Sequence, residues 1–333
     1  MPLPLILIGA AVAVGATGIG FGVKSKIDFD KAEDINRDAR STYEEATGSL
    51  EKCRDEVQSR LENLGKEKLT LMRDTLPSFV DTFRRIKNVD YAQLEVPYEV
   101  PHDLEAEVLA IREVTMEMSE TIGGAAGALG AGALAGLAAY GSVGLLGTAS
   151  TGAAIGGLSG IAATNATLAW LGGGALSAGG MGIAGGTAVL GGIVAAPVLL
   201  VGGLLLASKA SSAKEDARSN MTKARAAAKA MKSAESAARD IGRMAEQALR
   251  VLLELHEHMD RDLPVLQHVV AGNQDYLTYN RRDKELVART TSVAITAKNV
   301  SETPLLEEDG AVTDAIGKTL RNARQFLEQL KNN

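Results

Sequence analysis

His256 and His258 have the strongest claim to metal chemistry in this chain, because imidazole and carboxylate groups converging from one helix face can hold a cation. Two positions apart on a helix, they point to different faces, which leaves His256 with Asp260, four residues on, as the only converging pair. No third ligand accompanies them, so no metal site is expected. Gly15, Gly18, Gly20 and Gly22 ahead of Lys24 and Ser25 have the composition of a phosphate loop. Gly-Lys-Ser/Thr does not occur, however, and the G-x-G-x-x-G spacing fails, so no nucleotide or other cofactor is inferred. The paired acids Glu44-Glu45 and Glu307-Glu308 read as solvated surface rather than as a general acid and base. Cys53, the only cysteine, cannot form an intramolecular disulfide and suits a reducing compartment. The expectation is a protein that is not an enzyme, with no catalytic residue and no nucleic-acid partner.

The elements that carry these residues are defined by charge. Over 333 residues the net charge is -6 and 46% of residues are hydrophobic, an average that fits a soluble protein. The average conceals a run from 121 to 208, 88 residues without Asp, Glu, Lys, Arg or His. Ser, Gln and Pro would dominate a flexible coil. Here Pro197 is the only proline and Leu, Ile, Val and Ala fill most positions between glycines, so the run reads as a membrane insert. Four parts follow: an N-terminal apolar anchor (1–23), an acidic helical arm (24–120), the insert (121–208) and a second helical arm (209–333), basic near the membrane. The first stretch has no Lys or Arg before it and Lys24, Lys26 and Lys31 after it, which favours an uncleaved anchor over a secretory signal.

In the first arm Ala39, Tyr43, Ala46, Leu50, Cys53, Val57, Leu61 and Leu64 recur at alternating steps of three and four, a coiled-coil seam. In the second, Ala210, Ala213, Ala217, Met221, Ala224, Ala228, Met231, Ala238, Ala245, Ala248, Leu252, Leu255 and Met259 keep nearly the same rhythm, with alanine permitting close approach of helix axes. Glu113, Glu117 and Glu120 enter the insert where Lys209, Lys214 and Arg218 leave it, which predicts an antiparallel hairpin of the arms. Pro97 and Pro101 predict a hinge and Pro264 a break in the second arm. A terminal helix, 311–330, carries Ile316, Leu320, Ala323 and Leu327 on one side. The predicted fold class is all-α, with long coiled-coil or bundle arms flanking a Gly/Ala-rich transmembrane helical insert.

Within the insert 25 residues are glycine and 22 alanine. Small residues four apart let helix backbones approach closely in a bilayer. Gly123 and Gly127, Gly132 and Gly136, Gly152 with Gly156 and Gly160, and Gly182 with Gly186 have that spacing and are the candidate membrane helix-packing positions. Candidate spans are 122–146, 149–171 and 176–206. The polar group Thr164, Asn165 and Thr167 either glues neighbouring helices, lines a wet passage or sits in an interfacial turn, with Trp170 as interface anchor. Lys and Arg flank the insert and are missing from its internal connections, so both arms are expected in the cytoplasm after an even number of crossings.

The block Gly147-Thr148-Ala149-Ser150-Thr151-Gly152, then Ala162-Ala163-Thr164-Asn165-Ala166-Thr167-Leu168-Ala169-Trp170-Leu171-Gly172-Gly173-Gly174, then Gly185-Gly186-Thr187-Ala188-Val189-Leu190-Gly191-Gly192 resembles a widespread family of bacterial glycine-rich, glycine-zipper-like membrane proteins. Met1-Pro2-Leu3-Pro4 and the first arm look similar too. That resemblance implies a bacterial source and an inner-membrane location, and brings no site. In architecture alone the chain is distantly similar to helical pore-forming toxins and apolipoprotein-L-like proteins. The expected function is a self-associating membrane protein, a homo-oligomer in the lipid bilayer, whose insert forms or is triggered to form a pore or lesion under control of the arms, with room for an unidentified regulatory protein partner. The alternatives are a membrane-anchored coiled-coil scaffold without a pore, and a soluble toxin-like protein with a sequestered insert.

Overall fold

The computed structural model describes residues 22–90, 96, 104–123, 131–140, 213–307 and 310–332. These are helices joined by short turns, an all-α fold; the extended pairings among them are two isolated bridges, Lys87 with Asp275 and Leu306 with Val312. The N-terminal anchor up to residue 21, the hinge at Pro97 and Pro101, and the spans 149–171 and 176–206 lie outside the described residues.

Helix α1 (Gly22–Thr70) passes through one wide turn, Leu71–Thr75, into α2 (Leu76–Phe83). Pro77 explains that turn. It has no N–H to return, and its ring crowds the carbonyl four residues back. A turn in which the Leu76 N–H reaches the Leu71 carbonyl, five residues earlier, keeps the helix going. Helices α3 (Leu104–Gly123) and α4 (Ala131–Tyr140) follow. Helix α5 (Ala213–Gly272) is the longest of the described helices, and α6 (Arg281–Glu302) and α7 (Asp314–Lys331) follow it. The caps are local. Asn280 accepts the Asp283 N–H at 2.9 Å, and Thr313 accepts the Ile316 N–H at 3.1 Å.

The expected break at Pro264 does not occur, because α5 runs through it. A proline inside a helix costs about 3 kcal/mol. Leu263, Leu266 and Val270, all buried around it, anchor the last turns and offset that cost.

The arms are parallel, which corrects the expected antiparallel hairpin. Going up the pair, Asn220 bonds Asn36, Glu235 bonds Ser49, Glu67 bonds His256, Gln267 bonds Ser78 and Asn88 bonds Asp275. Partners stay 184 to 189 residues apart throughout. The physical reason is the distribution of bulk. Leu61, Leu64, Leu71, Phe79 and Phe83 lie late in the first arm, and Leu252, Leu255, Met259 and Leu266 late in the second. A parallel pair gathers them in one core, whereas a hairpin would set the leucines against alanines. End charges cannot compete, since exposed ion pairs contribute only about 0.2 to 1 kcal/mol each.

Consequently the two N-terminal ends share one tip, and the remaining helices gather at the other end as a head. There α3 packs on the wide turn, α2 and α6, while α4 lies on α1 and α7 on α5 and α6. Ile316, Leu320, Ala323 and Leu327 of α7 are buried in this core, as their spacing predicts. Glu113, on α3, belongs to the head, and Arg218 lies near the tip beside Asn220. From Asn36 to Leu71 the separation along α1 is about 50 Å at 1.5 Å per residue, so the two charges do not meet.

Candidate functional site

The longest described piece of the insert is α4, and its seat is the feature around which a functional reading is built. Leu134 to Ala139 are all buried. They pack in the core of the head with Leu61, Leu64, Leu305 and Leu306. A helix of ten residues is about 15 Å long, half the thickness of a bilayer's hydrocarbon core. Of the expected span 122–146, the described part is the end of α3 and this short helix docked on protein; 124–130 and 141–146 lie outside the described residues. None of the described helices is long and apolar enough to cross a membrane.

Two residues of α1 make the seat. At Gly65 the backbones come so close that a Cβ there would lie 2.0 Å from the Leu134 carbonyl oxygen and 2.6 Å from its carbon. Only hydrogen fits against backbone at that distance. One turn on, Lys68 is fully buried and donates its Nζ to the carbonyls of Ala138, at 3.0 Å, and Leu137, at 3.4 Å. The Leu305 and Leu306 N–H groups both donate to the Ala139 carbonyl, at 2.7 and 3.0 Å. The last carbonyls of a helix have no partners within it. Those of α4 obtain theirs from α1 and from the α6–α7 turn, and a cation there also meets the negative end of the helix dipole. Burial pushes the Lys68 ammonium down to about 7.

Beside the seat, His256 on α5 holds the wide turn. Its Nδ1 is 2.6 Å from Glu67 and its Nε2 is 3.0 Å from the Thr75 hydroxyl. Asp260, the partner expected from spacing, is 3.5 Å away. Acid, imidazole and hydroxyl in line have the composition of a nucleophile relay. Thr75 is buried inside the helix pair, however, and the arrangement acts as a polar bridge between α1 and α5. Among the described residues no three acids, histidines or cysteines converge on a cation position. A second strap joins α5 to α6. Arg289 donates to the buried Asp262 carboxylate at 2.7 and 3.1 Å, and Arg261 adds a bond at 3.0 Å. Burial pushes that carboxyl up, but the two guanidinium groups outweigh it and hold it below the usual carboxylate range.

A groove of about 1000 Å³ between α6 and α7 is lined by Thr296, Asn299, Thr303, Asn322 and Gln329. Its acid, Glu302, is paired with Lys298 at 3.4 Å, and hydroxyls and carboxamides dominate its walls.

Of the expected packing glycines, Gly132 and Gly136 lie on α4 in the head and Gly123 ends α3. Gly127, Gly152, Gly156, Gly160, Gly182 and Gly186, with Thr164, Asn165, Thr167 and Trp170, lie outside the described residues. The seam positions of α1 are buried or half-buried as spaced; in α5, Ala227 is buried and Ala228 only half-buried. Gly65 and Lys68 were not anticipated. A signal existed, because the rhythm Leu61, Leu64 continues to position 68 and then Leu71, placing a lysine on an apolar seam. Compared with family models, curated proteins and solved structures, the chain matches none.

Proposed function

We propose that this chain is a self-associating bacterial membrane protein whose Gly/Ala-rich insert is triggered to form a pore or lesion, with the helical arms and head controlling how much of the insert reaches the bilayer. The observation that supports this reading is the parallel direction of α1 and α5. Gly22 and Ala213 begin the two helices at the same end, and each is preceded by an apolar sequence. A stalk of two helices standing on one membrane face follows. Lys24, Lys26 and Lys31 on one chain segment and Lys214, Arg218, Lys223 and Arg225 on the other then fall within the first turns above that face. Basic residues beside a cytoplasmic leaflet are worth about 1 kcal/mol each against anionic lipid.

The seat of α4 favours the triggered form over a constitutive pore. Ten residues of the uncharged run are held in the head, far from the tip, with their terminal carbonyls bonded to protein. Leu134 to Ala139, buried there, have no lipid to face while docked.

The test is leakage from vesicles of mixed neutral and anionic phospholipid. The full chain is expected to resist alkaline extraction, to release small dyes with a size cutoff, and to show weak ion selectivity because the insert has no charged ring. Deletion of 121–208 should abolish leakage and reduce membrane retention. Recovery of the intact chain as a soluble monomer that leaves vesicles sealed would overturn the proposal, and firm insertion without leakage would favour the scaffold.

A further inference from the structure

Helix α4 occupies its seat on terms that oppose each other. Its apolar side chains gain from the core, and its terminal carbonyls gain three donors, the Lys68 Nζ and the Leu305 and Leu306 N–H groups. Against this stands Lys68, an ammonium with no acidic partner in the described structure, whose bonds run to α4 carbonyls alone. Among the described residues its surroundings supply no compensating charge. From α4, the sequence Ala131–Tyr140 brings no acid or base apart from Tyr140. On α1, Lys66 is exposed and Glu67 is bonded to His256 of α5. The α6–α7 turn brings Leu305 and Leu306, followed by Glu307, whose N–H bonds the Ala311 carbonyl. Desolvation is the only influence on Lys68 that stands out.

We propose that α4 is a releasable latch: it undocks from the Gly65–Lys68 face as a unit, and the re-solvation of Lys68 favours that release as the medium is acidified from alkaline toward neutral. Undocked, α4 presents an uncharged helix, joined in sequence to the rest of the uncharged run, and the surface that suits it is a bilayer. That destination rests on the membrane reading given above. Release itself does not, because it is a property of the head.

The direction follows from proton linkage. In the docked state Lys68 keeps a proton only below about 7, and when exposed to water it keeps one up to its ordinary value of 10.5. Between those values the undocked form binds more protons, so docking strengthens as pH rises and weakens as pH falls. The undocking equilibrium shifts about tenfold per pH unit across that window and levels off below about 7.

Hydrogen exchange of the full chain in a neutral mild detergent reads this directly, after correction for intrinsic exchange rates. In the unaltered protein, protection of amides in 134–139 is expected to fall about fiftyfold between pH 9 and pH 7, the last factor of two lost because docked Lys68 is itself half protonated there, and then to level. Amides around Leu252 of α5 should stay more protected throughout, which marks the opening as local. Lys68→Met should remove the pH dependence whatever its absolute protection. Gly65→Leu should leave 134–139 unprotected at every pH while α5 stays protected. Equal protection of α4 and α5, a flat profile in the unaltered chain, or the same slope in Lys68→Met would each overturn the proposal. Dye leakage is scored separately, so failure of the membrane reading leaves this result standing.

Discussion

Between Ala32 and Leu50 the buried face of α1 is Ala32, Ala39 and Leu50, and the facing stretch of α5 offers Ala217, Ala224, Ala227, Met231 and Ala234. Between Leu61 and Phe83 the same run of helix buries four leucines and two phenylalanines with Met72, against Leu252, Leu255, Met259, Leu263 and Leu266. A fully buried Leu or Phe contributes about 1.5 to 3 kcal/mol by the area it withdraws from water, and an alanine methyl far less. One geometry thus has two strengths. The stalk buries mostly alanine and is weakly held, and the head is thickly packed and anchors it. Alanine sets the helices near each other, whereas leucine makes separating them costly.

The largest expected effect tests the strength of the head. Phe79→Ala should destabilise the chain by about 3 to 5 kcal/mol, and Leu50→Ala, in the stalk, should fall near the lower end of the 2 to 5 kcal/mol range for leucine. Chemical denaturation measures both. Equal losses would show that the stalk is as firmly held as the head and would break the comparison.

Next comes the strap between α5 and α6. Asp262→Ala leaves Arg289 without its buried carboxylate and should cost about 3 kcal/mol. Because the folded carboxyl lies below its ordinary 3.8, its stabilising effect is complete above that value and disappears as pH falls through the folded one. Denaturation midpoints followed from pH 6 to pH 2 should therefore converge for the variant and the parent. Parallel curves would show that the carboxylate plays no part in acid stability.

The smallest effect separates two glycines of one helix. Nothing lies within 4 Å of a Cβ at Gly48, so Gly48→Ala should stabilise the stalk by about 0.5 to 1 kcal/mol through helix propensity. At Gly65 the same change drives a methyl into the Leu134 carbonyl and should destabilise. A thermal melt of each variant supplies the sign. If both substitutions stabilise, α4 is not seated at Gly65.

Much of the local structure was legible in the residues. The stripe from Ala39 to Leu64, the alanine rhythm of α5 and the four buried positions of α7 follow from helical periodicity, which depends only on near neighbours. Pro77 and Pro264 show the limit of that reading. Each has the residue type of a helix breaker, yet one is absorbed by a wide turn and the other by buried leucines on either side.

What the sequence by itself determined is that the arms are helical, which face of each is apolar and where the uncharged run begins and ends. Those properties are periodic or compositional. Only the tertiary structure decided that the arms run in the same direction, that ten residues of the uncharged run lie inside the head, and that Gly65 and Lys68 make their seat. A heptad names a face but carries no direction, and direction here depends on bulk collected from segments nearly two hundred residues apart. A lysine at position 68 reads as one more surface charge until α4 closes over it, because burial is a property of the neighbours and not of the residue.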